Sequence, residues 1–227
     1  MSTPAIISEW KEKTFKPIYW LEGEEDFFID EIMGFAEKHI LSEADAQFNL
    51  TVFYGKDANW ADIINACRRY PMFADRQVVL LKEAQQMKDI DKLESYVENP
   101  LNSTILVVSY KGKTLDGRGK LSKLIKKKGE VFLSKKMYED KLPLWVSDYL
   151  NAHKLQINPG ALILLVDHIG NDLSRIVNEI EKLVLNLGDR KNITEDDIEK
   201  YIGISKEYNI YELQNAFSKK DLAKAIR

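Results

Sequence analysis

Five short apolar runs, each parted from the next by a segment with helical spacing, constrain the fold of this chain more than any other feature. They are Ile18-Tyr19-Trp20-Leu21, Asn49–Phe53, Val78–Leu81, Thr104–Ser109 and Val131–Leu133. Val78-Val79-Leu80-Leu81 and Ile105-Leu106-Val107-Val108 offer no polar side chain to water, so each predicts a strand covered on both faces. Such strands, alternating with helical segments of ~10–15 residues, read as βαβ units of a mostly parallel sheet with right-handed crossovers. The flanking helices are expected over Ala5–Thr14, from Glu22-Gly23-Glu24-Glu25-Asp26 to His39, from Trp60 to Arg69, over Asp89–Val97 and over Gly119–Lys128. In the second of these, Phe28, Ile32, Phe35, Ala36 and His39 fall on one side.

From Leu142 onward the pattern changes to helices only. Leu142–His153 carries Leu144, Trp145, Tyr149 and Leu150, and Asn158-Pro159 is a cap followed by proline at the first helical position. Asp172–Leu187 has apolar residues at helical spacing, and Thr194 with Asp197 three residues on resembles a capping box. The expected organisation is an α/β domain over 1–140, an all-α helical lid over 141–205, and over 206–227 a linker with the start of a further helical domain. The last apolar stripe, Leu222, Ala223 and Ile226, has no stop signal, which predicts that the natural protein continues.

Composition narrows the function. The 227 residues suffice for two real cores, and a net charge of −3 gives no global sign of strong nucleic-acid binding. No apolar stretch approaches the ~20 residues that span a bilayer, so no membrane partner is expected. Met1-Ser2-Thr3-Pro4-Ala5 lacks the regions of a signal peptide. Cys67 is the only cysteine and lies on an apolar helix face, which suits a buried thiol in a reducing cytoplasm. One cysteine and three scattered histidines make no metal cage.

An α/β domain followed by a helical lid is the layout of nucleotide-driven machines, in which the first strand leads into a glycine-rich phosphate loop. Here that position reads Glu22-Gly23-Glu24-Glu25-Asp26, whose carboxylates satisfy the helix dipole and repel a triphosphate. Gly112-Lys113-Thr114 is a fragment of the motif preceded by strand rather than glycine. Lys82 stands where a metal-holding aspartate would follow the apolar strand. The expectation is the architecture without nucleotide hydrolysis, and no cofactor.

Two stretches remain as candidate sites. Trp60, Ile63, Ile64 and Cys67 share one helix face, Pro71 ends that helix, and Val78–Leu81 follows as a strand. The connection between them, Tyr70-Pro71-Met72-Phe73-Ala74-Asp75, places two large apolar side chains where a surface turn is normally polar. Met72 and Phe73 either tuck down over the junction or project as a hook into a partner. Lys120, Lys123, Lys126, Lys127 and Lys128 flank Leu121, Leu124 and Ile125. They read as the solvated face of an amphipathic helix or as a phosphate-tracking patch for DNA, with Lys120, Lys123 and Lys127 as its candidates and Lys135 and Lys136 nearby. Tyr138 and Trp145 read as core.

Tyr19-Trp20-Leu21-Glu22-Gly23-Glu24-Glu25, Phe73-Ala74-Asp75-Arg76-Gln77-Val78-Val79, Gly170-Asn171-Asp172-Leu173, Asn178–Leu183 and Ile193–Ile198 together resemble the delta subunits of bacterial clamp loaders, in the same order. The resemblance implies an AAA+-like α/β domain that has lost ATP binding, a lid, and a C-terminal collar domain here largely missing. It implies a non-catalytic subunit of a DNA polymerase holoenzyme that binds the sliding clamp and helps open it for loading onto primed DNA. Its partners would be the clamp, the other loader subunits through the collar, and DNA in the assembled complex. The clamp-binding positions that match are Met72 and Phe73, with Tyr70 and Pro71 before them; Met-Phe replaces the more usual leucine–phenylalanine pair. The readings left beside it are a degenerate ATPase and a direct DNA-binding module.

Overall fold

The structure, a computed structural model, describes residues 3–202. The chain parts into two compact units between Lys136 and Met137. The expected C-terminal element from 206 lies outside the described residues.

The first unit opens with α1 (Thr3–Lys11), β1 (Ile18–Gly23), α2 (Asp26–His39), α3 (Glu43–Asn49) and β2 (Leu50–Tyr54). It continues through α4 (Trp60–Arg68), β3 (Gln77–Lys82), α5 (Glu94–Val97), β4 (Thr104–Lys111), α6 (Lys120–Lys128) and β5 (Glu130–Ser134). The five strands form one sheet in the order β2-β3-β4-β1-β5, and every pairing is parallel. β3 and β4 lie inside it, and their apolar runs are buried on both faces, as their lack of alternation required. One face packs on Ile63, Ile64 and Cys67 of α4 and Leu121 and Ile125 of α6. The other packs on Ile29, Ile32 and Ala36 of α2 and on Ile6 and Trp10 of α1. The alternate residues of each strand divide between these two cores, Val79 and Leu81 going to the first and Val78 and Leu80 to the second.

The second unit carries α7 (Leu142–Ala152), α8 (Pro159–Ile169), α9 (Leu173–Leu187) and α10 (Glu195–Tyr201). Leu173, Ile176, Ile180, Leu183 and Leu187 form the buried stripe of α9. Thr194 and Asp197 make the capping box anticipated for α10, and Arg190 holds the same aspartate at 2.8 Å.

Several expectations need correction. The second unit is not helices only: Gln156–Ile157 and Asn192–Ile193 pair as two short parallel strands, β6 and β7. The helix expected over Asp89–Val97 is a 3-10 turn, Ile90–Leu93, running into the single turn of α5. The strand expected from Asn49 starts at Leu50, because Ser42 caps an unforeseen helix, α3, that reaches Asn49. His39 is exposed, although its ring lies 4.8 Å from that of Phe35 on the same side of α2, and Tyr138 is exposed rather than core.

Candidate functional site

The candidate site is the connection from α4 to β3. Helix α4 starts at the Asn59 cap, buries Ile63, Ile64, Ala66 and Cys67, and stops when Arg69 turns extended two residues before Pro71. Burial pushes the Cys67 thiol up to about 12, so it is an apolar filler beneath the helix and not a nucleophile at neutral pH. The turn then leaves the body of the protein. Phe73 is 99% exposed, Met72 52% and Tyr70 83%. Met72 and Phe73 therefore project, and the tucked alternative does not describe them. Phe73 also adopts φ +56, the left-handed region that side chains with a Cβ avoid.

Three polar residues, each at the N-terminal lip of a strand, hold this turn from below. Asn49, just before β2 and buried, accepts from the Met72 N–H at 2.6 Å through Oδ1 and donates through Nδ2 to the Met72 carbonyl at 2.9 Å. Gln77, the first residue of β3 and also buried, has the two hydrogens of its Nε2 shared among the carbonyls of Ala66 at 3.1 Å and Arg69 at 2.5 Å and Thr104 Oγ1 at 2.9 Å. Thr104, the first residue of β4, donates its hydroxyl to the Cys67 carbonyl at 2.8 Å. Carbonyls at the end of a helix need partners, and here side chains from neighbouring strands supply them. Arg69 reaches Thr51 of β2 at 3.0 Å, and the Arg76 guanidinium sits 4.6 Å from the Phe15 ring. Asn49, Gln77 and Thr104 were not foreseen in this role. These three strands are each entered through a polar residue, but nothing along the chain says which carbonyl that residue meets.

The phosphate-loop position lies at the other ends of the strands. β1 ends at Gly23 and α2 begins at Asp26, so two residues replace a glycine-rich loop. Their main-chain groups have partners: Glu24 N–H donates to the Ser134 carbonyl at 2.9 Å, and Ser134 Oγ donates to the Glu25 carbonyl at 2.6 Å. A Cβ at Gly23 would run into the Ser134 carbonyl. Glu22 accepts from Trp20 Nε1 at 3.0 Å and from Leu115 N–H at 2.9 Å. Lys82 pairs with Glu37 at 2.7 Å and Lys111 with Asp30 at 2.6 Å. Partial desolvation, with Asp30 and Glu83 close by, raises the Asp26 carboxyl above its ordinary value despite Lys111. This mouth already resists negative charge. Among the described residues no group of three or more His, Cys, Asp or Glu is placed to hold a metal ion.

The lysines of α6 do not act alike. Lys120 lies 3.1 Å from Glu98 and 3.3 Å from Glu94, while Lys123 and Lys127 stand exposed on the helix. No helix among the described residues is long and apolar enough to cross a membrane.

Comparison with known proteins accords with this geometry. The family described as DNA polymerase III, delta subunit, matches residues 19–135. DNA polymerase III subunit delta of Bacillus subtilis (strain 168) is 27% identical over 223 residues, covering 92% of this chain. The chain spans 64% of the length of that relative. The solved structure of the Bacillus subtilis DNA clamp loader delta protein superposes with a TM-score of 0.75 at 25% identity, covering 99% of this chain and 69% of that one. The Holliday junction branch migration motor RuvB of Thermotoga maritima superposes with a TM-score of 0.54 at 12% identity, covering 96% and 76%. That likeness shows the AAA+-like fold and nothing of the activity.

Proposed function

The chain belongs to the DNA polymerase III delta subunit family, and from that premise we propose that its α/β unit docks on the sliding clamp through Met72 and Phe73 and helps hold the ring open for loading onto primed DNA. The observation that carries this reading is the almost fully exposed Phe73 ring beside half-exposed Met72, on a turn fixed by two hydrogen bonds to the buried Asn49. Contiguous exposed apolar side chains mark an interaction site rather than a folding need. Buried in a partner's pocket, each contributes up to about 1.5–3 kcal/mol, enough to act as a hot spot. Tyr70 and Pro71 form the shoulder of the same surface. The turn's rigidity matters because a ligand shifts an equilibrium between closed and open rings only by its better affinity for the open one. The chain acts in this reading as a non-catalytic subunit: the residues at the phosphate-loop position leave no cradle for a triphosphate. Other loader subunits would join through the part of the relative that this chain does not span, and DNA would approach α6 in the assembled complex.

The test is titration of the organism's sliding clamp with wild-type protein and with Met72→Ala/Phe73→Ala. The double variant should lose at least ~100-fold in affinity with its melting temperature nearly unchanged. A variant that binds normally would sink the proposal, and one that unfolds would show that the pair belongs to the core.

A further inference from the structure

We propose that Asn49 is the positioning residue of the hook, setting Met72 and Phe73 for the clamp through the main chain of Met72; this rests on the docking function proposed above. Asn49 is 3% exposed and ends α3 immediately before β2, the edge strand of the sheet, 23 residues before Met72 in sequence. Its carboxamide engages both polar groups of the Met72 main chain, at 2.6 and 2.9 Å. The second Nδ2 hydrogen goes to the Asp45 carbonyl at 3.1 Å, which ties the same side chain back into α3. Both of its donors and its acceptor are therefore in use. A hydrophobic group of the same size could not replace it.

The turn depends on this contact because it has little else. Among the described residues, 70–76 make no main-chain to main-chain hydrogen bond. Gln77 holds the stem at Arg69 and below, whereas Asn49 is the side chain that hydrogen-bonds the tip. The tip carries a conformation that a free turn would leave, since Phe73 sits at φ +56. Released from Asn49, the turn populates other conformers, and apparent affinity falls by the fraction that stays competent. The α3–β2 junction is thus part of the docking device although Asn49 does not itself meet the partner.

The experiment uses the full chain and the organism's sliding clamp, with wild type, Asn49→Ala, Asn49→Asp, Phe73→Ala, Asn49→Ala/Phe73→Ala, and Val108→Ala as a core truncation in the middle of β4. Asn49→Ala should weaken clamp binding about tenfold. Asn49→Asp should weaken it at least as much although it keeps the shape, because a carboxylate oxygen then faces the Met72 carbonyl. Val108→Ala should lower the melting temperature and leave affinity unchanged. In the Phe73→Ala background the Asn49→Ala penalty should shrink to less than about twofold. Amide hydrogen exchange gives a readout without the clamp: Met72 N–H should be protected in wild type and exchange faster in Asn49→Ala, with the β3 amides unaffected. Wild-type affinity in Asn49→Ala, a full penalty in the Phe73→Ala background, or an unprotected Met72 amide in wild type would overturn the proposal. If Phe73→Ala itself binds like wild type, the docking function fails first and the role of Asn49 fails with it. If Phe73→Ala is weak and Asn49→Ala is not, only the role of Asn49 fails.

Discussion

Phe73 should be worth more to binding than to folding, and one substitution separates the two with opposite signs. Its ring is 99% exposed, so it contributes almost nothing to the core. Its backbone sits at φ +56, which costs a residue with a Cβ about 1–2 kcal/mol. Glycine relieves that cost but loses about 0.5–1 kcal/mol more chain entropy on folding than alanine does. Phe73→Gly should therefore leave the α/β unit unchanged or up to about 1.5 kcal/mol more stable. Phe73→Ala keeps the Cβ and the strain while deleting a solvated ring, so it should stay within about 0.5 kcal/mol of wild type. On the docking proposed above, both variants lose a ring worth about 1.5–3 kcal/mol in the clamp's pocket, so clamp affinity should drop ~10- to 150-fold. Glycine should weaken it further than alanine because it also loosens the turn. Urea denaturation by linear extrapolation gives the stabilities, and clamp titration gives the affinities. A stability loss above about 1.5 kcal/mol in Phe73→Ala would mean that the ring is packed after all. A clear loss in Phe73→Gly would mean that the left-handed tip stores no strain.

Three further outcomes follow from other parts of the molecule. Saturating Mg-ATP should leave the melting temperature within about 0.5 °C of the free protein, whereas a real site filled at 100 times its Kd would stabilise by about 2.7 kcal/mol and shift it by several degrees. The Arg190 guanidinium, against the opposing effect of burial and with help from Thr194, holds the Asp197 carboxyl down to about 2. Its folded pKa lies below its unfolded one, so that stabilisation is complete above about pH 4 and fades as pH falls toward 2. Melting of the helical unit should track this window, and Asp197→Asn should flatten it; an identical acid profile in the variant would refute the assignment. If α6 contacts duplex DNA in the loader, Lys123→Ala/Lys127→Ala should lower the slope of log affinity against log salt by up to about 2. Lys120→Ala should change it little, because Glu94 and Glu98 already neutralise that charge; equal effects from all three lysines would contradict the distinction.

The strands were legible because unbroken apolar runs such as Val78–Leu81 admit few alternatives. Met72-Phe73 after Pro71 stood out because it violates the polar habit of surface turns, but the residues alone left open whether the pair tucks or projects, and its exposure decides that. Helix α3 was not, because Glu43-Ala44-Asp45-Ala46-Gln47-Phe48-Asn49 lacks an apolar stripe and forms largely on the strength of the Ser42 cap. The strands β6 and β7 are two residues each, too short to show any period. Asn49 and Gln77 were missed for a different reason. Their meaning lies in partners 23 and 8 to 11 residues away, and a lone carboxamide carries no pattern along the chain.

The all-parallel sheet explains how one mouth of the fold can close without disturbing the hook. In open α/β sheets the ligand crevice lies outside the C-terminal ends of the strands. Gly23 and Lys82 are at those ends, and there the structure places ion pairs and internally bonded main chain. Asn49, Gln77 and Thr104 line the opposite ends, about 20 Å away across strands rising ~3.3 Å per residue. Between the two edges run Val78–Leu81 and Ile105–Val108, close-packed and buried on both sides. A change at the crevice would have to slide a whole strand to move the tip of the turn. Met72 and Phe73 are therefore carried by their unit as a rigid point rather than reshaped within it. Exchange rates of the turn amides should then be unchanged by Lys82→Ala, which breaks the crevice ion pair with Glu37, and a change confined to the turn would contradict this.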